Sequence, residues 1–229
     1  MNPDPHKEKR SRLALVGMSG SGKTFWSRKL AAAGWTAVSC DDLIEKRLAP
    51  RLAAGGYSGI NGVAAWMGWP DSPTYAEREA EYLAEEIAVV DEFLGVLEKE
   101  NAASPIVLDT TGSVIYAQNN ILMRLRRQMT VVHLASTEHE QQLLVQRYLH
   151  DPKPVLWRGT FHVKDNESPR ETVDRCYPLL IALRKKSYET LAHCSVQVAE
   201  LRSLGAANEN ASEPVEQFLK KIQAQAQHQ

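Results

Sequence analysis

The run Gly17-Met18-Ser19-Gly20-Ser21-Gly22-Lys23-Thr24 fits the phosphate-binding loop pattern G-x-x-x-x-G-K-[ST] without a mismatch. Before it, Leu13-Ala14-Leu15-Val16 reads as a short buried strand, and after it Phe25 to Ala33 reads as a helix. Strand, loop and helix are the setting this motif requires. Glycines let the backbone wrap so that successive N–H groups point inward, and the following helix N-terminus adds partial positive charge. Gly17, Ser19, Gly20, Ser21 and Gly22 would therefore cradle nucleotide phosphates, with Lys23 reaching the β- and γ-phosphates and the Thr24 hydroxyl ligating Mg²⁺.

Outward from the loop, short apolar strands alternate with helical patterns. Thr36 to Cys40, Ile106 to Asp109, Val131 to Leu134 and Ser195 to Val198 read as strands. Helical patterns cover Asp41 to Arg47, Tyr75 to Glu100, Glu138 to Leu149, Thr172 to His193 and Pro214 to Ile222. Such alternation predicts an α/β fold: a three-layer, doubly wound parallel sheet of about five strands with helices on both faces. Residues 1–11 read as a flexible tail, 12–201 as the nucleotide-binding domain, and 202–229 as a polar linker and C-terminal helix of that same domain. Residues 50–74 are rich in Gly and Pro and read as loop with a short helix near Val63 to Met67. They sit in an insert or acceptor-binding region of about 46–100. Residues 148–170, with three prolines and several basic side chains, read as a mobile lid.

Composition bounds the function. The chain has 229 residues, 43% hydrophobic and 24% charged, with a formal net charge of −1. Nothing in that balance favours a nucleic-acid or membrane surface. Cys40, Cys176 and Cys194 are an odd number without metal-ligand spacing and read as buried, reduced thiols of a cytoplasmic protein. No signal-peptide pattern opens the chain, and no apolar run approaches the ~20 residues of a membrane span. A monomer is expected.

Several other residues are candidates for chemistry. Asp109 ends an apolar strand, where a carboxylate can hold Mg²⁺ directly or through water, or simply cap the Thr110-Thr111-Gly112 turn. Asp41 lies just past the second strand, on the edge where open α/β sheets bind ligands, and would accept the proton of an acceptor hydroxyl. Asp42 is its rival, and both also suit a helix N-terminus. Lys153 lies in the lid segment and would close over the nucleotide, or belong to a solvated basic loop. Arg184 would bind an anionic acceptor, or lie on a solvated face with Lys185 and Lys186.

Taken together, these segments resemble the shikimate kinase family over nearly the whole chain. Asp41-Asp42-Leu43-Ile44-Glu45 resembles the family's D-x-D-x-x-I-E from its second Asp. Lys153-Pro154-Val155-Leu156 resembles the lid R-P-L-L, and the segment from Arg184 to Ala192 resembles R-x-P-L-Y-x-x-I-A. The resemblance implies transfer of the ATP γ-phosphoryl group to a hydroxyl of a small anionic acceptor, with ATP and Mg²⁺ as cofactors. By position, Asp41 matches the acceptor-hydroxyl aspartate and Arg184 an arginine that binds the acceptor carboxylate. Lys153 takes the place of the lid arginine, and Arg147 lies near the adenine-stacking arginine.

The chain departs from the family pattern at several places. Ser39 stands where the family has a metal-shell Asp, and Thr111-Gly112-Ser113 replaces a triple glycine that contacts the acceptor. In the segment matching F-R-x-x-E, Ala76 occupies the arginine's place and Arg78 lies half a turn away. Segments 50–74 and 157–175 are longer than is usual. These departures fall mostly on the acceptor side, so two alternatives stand beside the first reading. One is a kinase for a different acceptor, such as a sugar acid or a nucleoside monophosphate. The other is a non-catalytic nucleotide-binding relative.

Overall fold

The computed structural model describes residues 11–99, 104–206 and 212–226. Five parallel strands form one sheet: β1 (Arg12–Val16), β2 (Thr36–Ser39), β3 (Ile106–Asp109), β4 (Thr130–Ala135) and β5 (Cys194–Gln197), in the order β2-β3-β1-β4-β5. Parallel strands need crossovers, and helices supply them. These are α1 (Lys23–Ala32), α2 (Cys40–Ala54), α3 (Gly59–Met67), α4 (Tyr75–Lys99), α5 (Asn119–Gln128), α6 (Glu138–His150), α7 (Pro169–Leu191), α8 (Val198–Ala206) and α9 (Ser212–Ala226). The expected doubly wound α/β architecture is the one observed.

The period of two along β1 divides the core. Leu13 and Leu15 face one layer, with Trp26, Leu30, Val132, Val196 and Phe218. Ala14 and Val16 face the other, with Ile44, Leu48, Val90, Leu108 and Val131. On the first face Trp26 stacks on Phe218 of α9, ring centroids 4.5 Å apart, tying the C-terminal helix to the helix that follows the phosphate loop. The three cysteines are buried and unpaired, as their spacing suggests. No helix among the described residues is long and apolar enough to cross a membrane.

Several boundaries differ from the sequence reading. The helix expected to fade near Arg47 continues through Pro50 to Ala54. Ile44, Leu48 and Leu52 repeat every four residues on its buried side, and that packing outweighs the proline. Arg47 and Arg51 on its outer side bridge to Glu81, Glu85 and Glu92 of α4. The predicted loop of 50–74 therefore holds the end of α2 and all of α3. Helix α5 was not anticipated, because only Ile121 and Leu125 mark its buried stripe. Within the expected linker of 202–211, residues through Ala206 belong to α8, and 207–211 lie outside the described residues. So do residues 1–10 of the expected tail.

Candidate active site

The phosphate loop leaves β1 at the C-terminal edge of the sheet and turns into α1. Gly17, Gly20 and Gly22 have φ of 146°, 80° and 99°, values that side-chain-bearing residues rarely adopt. A Cβ on Gly17 would lie 2.9 Å from the Leu134 carbonyl oxygen. Lys23 is buried and donates to the Gly17 and Met18 carbonyls at 2.9 and 3.0 Å, folded over its own loop. Burial lowers its pKa, and the carboxylates of Asp109 and Asp41 oppose that shift. Ser19, Gly20, Gly22, Lys23 and Thr24 line a cleft of about 620 Å³. Arg147 of α6 borders the same cleft, its Nη1 3.4 Å from the Gly20 carbonyl. The nucleotide-side residues read from the sequence are thus brought together, with Gly17 and Ser21 in the loop behind that wall.

Asp109 ends β3 beside this loop and is buried. Its Oδ1 has no hydrogen-bond partner among the described residues. Burial raises its pKa, while the Lys23 ammonium and the Thr24 hydroxyl favour the anion. An orphaned carboxylate oxygen beside a hydroxyl suits Mg²⁺, which binds through one or two carboxylates plus the phosphates of its substrate. Among the described residues no group of three or more His, Cys, Asp or Glu forms an all-protein metal cage, and Mg²⁺ at a phosphate loop needs none.

Asp41, in the first turn of α2, lines the same cleft as the loop. Tyr82 of α4 donates to its Oδ1 at 3.2 Å. Burial raises the Asp41 pKa, and the nearby Lys23 ammonium opposes that rise. Asp42, the rival, is exposed and does not line the cleft; its backbone N–H instead donates to the Ser39 hydroxyl at 3.2 Å, capping α2. One helical turn beyond Tyr82 stands Glu86, wholly buried, with neither carboxylate oxygen in a hydrogen bond among the described residues. Burial pushes Glu86 up to about 8, with the Ser113 hydroxyl, Arg184 and Lys23 opposing. Tyr82 and Glu86 were not singled out in the sequence. The available signal was their spacing from Tyr75 and Glu79, a polar stripe on the buried side of an otherwise apolar-faced helix.

The two arginines expected at the acceptor are placed otherwise. Arg184 is fully buried in α7, not on a solvated face. Its Nη1 donates to the Gly112 carbonyl at 3.0 Å, Nη2 to the Leu156 carbonyl at 2.5 Å, and Nε to the Tyr116 hydroxyl at 3.3 Å. Burial works against its charge, but the hydroxyls of Tyr188 and Tyr116 carry its pKa above the ordinary value. Gly112 lines the cleft as expected, wedged between Arg184 and the loop. Arg78 turns away: it donates to the Trp66 carbonyl and lies over the Trp66 ring, 5.7 Å from its centroid. Half a turn on a helix is enough to point it at α3 rather than at the cleft.

The ends of the expected lid, 148–170, belong to α6 and α7, and residues 151–168 between them lie in neither helix nor strand, yet their middle is not a solvated basic loop. Val155, Leu156 and Trp157 are buried. The Tyr75 hydroxyl shares its proton between the Val155 carbonyl at 2.7 Å and Glu79 Oε1 at 3.0 Å, and accepts from the Trp157 N–H at 3.1 Å. The Arg158 N–H donates to the same Glu79 oxygen at 2.9 Å. Lys153 does reach the cleft rim, where it pairs with Asp151 at 2.8 Å and donates to Asn61 at 2.5 Å.

The chain belongs to the AAA-domain family of phosphate-loop proteins, whose pattern it matches over residues 13–169. Among solved structures it is similar to the shikimate kinase from Acinetobacter baumannii in complex with shikimate. That likeness has a TM-score of 0.57 and 20% identity, covering 96% of this chain and 98% of the other. It is also similar to the shikimate kinase from Bacteroides thetaiotaomicron (TM-score 0.54, 15% identity, 93% and 98% covered) and to that from Aquifex aeolicus (0.50, 18%, 95% and 99%). At such identities the likeness is one of fold. No curated protein matches the sequence.

Proposed function

We propose that this chain is an ATP-dependent kinase that transfers the γ-phosphoryl group to a hydroxyl of a small-molecule acceptor. What supports this reading most is one cleft lined both by the phosphate loop with Lys23 and by the Tyr82-bonded carboxylate of Asp41. The loop amides and Lys23 hold the triphosphate, Lys23 leaving the Gly17 and Met18 carbonyls to do so, and Arg147 flanks the nucleotide. Asp41 accepts the acceptor's hydroxyl proton as that oxygen bonds to the γ-phosphorus and the bond to ADP breaks. Burial moves its basicity in the direction that task needs. Tyr82 fixes its orientation. Thr24 and Asp109 would hold Mg²⁺, which would neutralise phosphate charge. Most of the rate then comes from positioning and preorganised charge. The same proposal places the protein in the cytoplasm as a monomer of one nucleotide-binding domain, with no nucleic-acid or membrane partner.

Asp41→Asn is expected to abolish phosphoryl transfer while leaving ADP affinity within about twofold, since this reading assigns Asp41 to the acceptor hydroxyl and not to the nucleotide. Retained transfer would remove Asp41 from this role. A second reading, a nucleotide-binding protein without turnover, draws on the commitment of Arg184 and Arg78 to internal partners. A phosphorylated product identified with any acceptor excludes it.

A further inference from the structure

The acceptor end of the cleft has an unusual charge balance. Arg184 gives all three of its donor nitrogens to protein oxygens and lies behind Gly112 rather than on the cleft wall. Arg78 is spent on Trp66. Lys153 is held by Asp151 and Asn61. Lys23 belongs to the phosphates. Against these stands the Asp41 carboxylate, which lines the cleft. Ile60 and Pro154 line it together with the buried Tyr82, Tyr148 and Tyr177, and Tyr148 and Tyr177 stack on each other with centroids 5.0 Å apart.

Burying a carboxylate or phosphate beside Asp41 without a paired cation is unfavourable. A ring that packs against these apolar and aromatic side chains is favoured there, and so is an ammonium, which the Asp41 carboxylate attracts. We infer that the acceptor is a ring-bearing alcohol with no anionic group, either uncharged or amine-bearing; this rests on the kinase reading above. The resemblance to shikimate kinases implies instead an anionic acceptor held by Arg184, whose three nitrogens here donate to Tyr116, Gly112 and Leu156.

The test uses the full chain loaded with ADP and Mg²⁺, and three probes that share a ring and a hydroxyl: benzyl alcohol, 4-(aminomethyl)benzyl alcohol and 4-(hydroxymethyl)benzoate. Ligand-observed NMR titrations measure each. The alcohol and the amine are expected to bind at least about tenfold more tightly than the benzoate. Benzoate binding that equals theirs overturns the inference, and so does the failure of all three to bind protein that holds ADP. Ile60→Arg adds a cation to that wall and is expected to raise benzoate affinity about fivefold or more; no rise, with ADP binding intact, also overturns it. Incubation of each probe with ATP and Mg²⁺ separates the two claims. Phosphorylated benzoate means that the kinase reading stands and the inference fails. Selective binding without phosphorylation of any probe or of a wider alcohol panel means that the pocket's selectivity stands and the kinase reading fails.

Discussion

Ser39 and Asp109 are register partners at the C-terminal ends of neighbouring strands β2 and β3. The pairing places Ser39 directly beside the Asp109 carboxylate. Ser39 spends its hydroxyl on the N–H of Asp42, whereas Asp109 keeps a buried oxygen without a partner. Asp109→Asn is therefore expected to lower Mg²⁺ affinity in the ADP complex by about 10–100-fold. The exchange Ser39→Asp with Asp109→Ser is expected to recover part of it, because Asp also caps a helix well. Calorimetric titration of ADP with and without Mg²⁺ measures both. An unchanged Mg²⁺ effect in Asp109→Asn would remove that residue from the metal's shell.

Glu86 makes stability depend on pH. Its carboxyl, at about 8 in the folded protein against an ordinary 4.5, holds a proton that the unfolded chain has released. Between those values the folded state binds more protons, so stability falls as pH rises through this window and levels off above it. Glu86→Gln keeps the neutral shape and removes the dependence. Its advantage over the natural protein should be absent near pH 4, grow to pH 8 and reach on the order of 3–5 kcal/mol. Urea unfolding across pH 4–9 measures it; parallel pH curves for the two proteins would contradict the assignment.

What could be read from the sequence followed from strong local patterns. The loop, β1, β3, β4 and α4 were legible because a motif, an unbroken apolar run or a helical period fixed them, and Asp109 and Asp41 followed from their places at strand ends. Arg184 was visible as a residue but not in its use, because its partners are the carbonyls of Gly112 and Leu156, which lie 72 and 28 residues away. Backbone acceptors leave no trace in a side-chain pattern. Leu156 and Trp157 read as loop for a related reason. The prolines and basic residues around them dominate the composition, and only the long-range tie to Tyr75 shows why they are buried.

That tie can be tested directly. Tyr75→Phe removes the hydroxyl that accepts from Trp157 and is shared between Val155 and Glu79. It leaves a buried N–H unpaired, at a cost of about 1–3 kcal/mol. Because the loss falls on the segment 151–168, amide exchange should rise at Trp157 and Arg158 while the β1 and β4 amides change little. Equal protection at Trp157 in both proteins would show that the hydroxyl does not hold the segment.

Gly112 links the two halves of the cleft. A Cβ there would meet the Ser19 backbone nitrogen at 3.2 Å and Arg184 Nη1 at 3.3 Å. The first contact is loop backbone, and the second is a guanidinium fixed by three hydrogen bonds, so neither can retreat without disturbing other bonds. Its carbonyl also accepts from both Arg184 and the Tyr188 hydroxyl, holding the turn after β3 against α7. Gly112→Ala is therefore expected to shift the phosphate loop by a few tenths of an ångström and to weaken ADP binding by about 5–20-fold. Folding stability should fall by about 1–2 kcal/mol. Fluorescence titration with a labelled ADP, beside thermal unfolding, separates the two effects. Wild-type affinity in a protein that unfolds at the same temperature would mean that the loop has room that the packing around Ser19 and Arg184 does not leave.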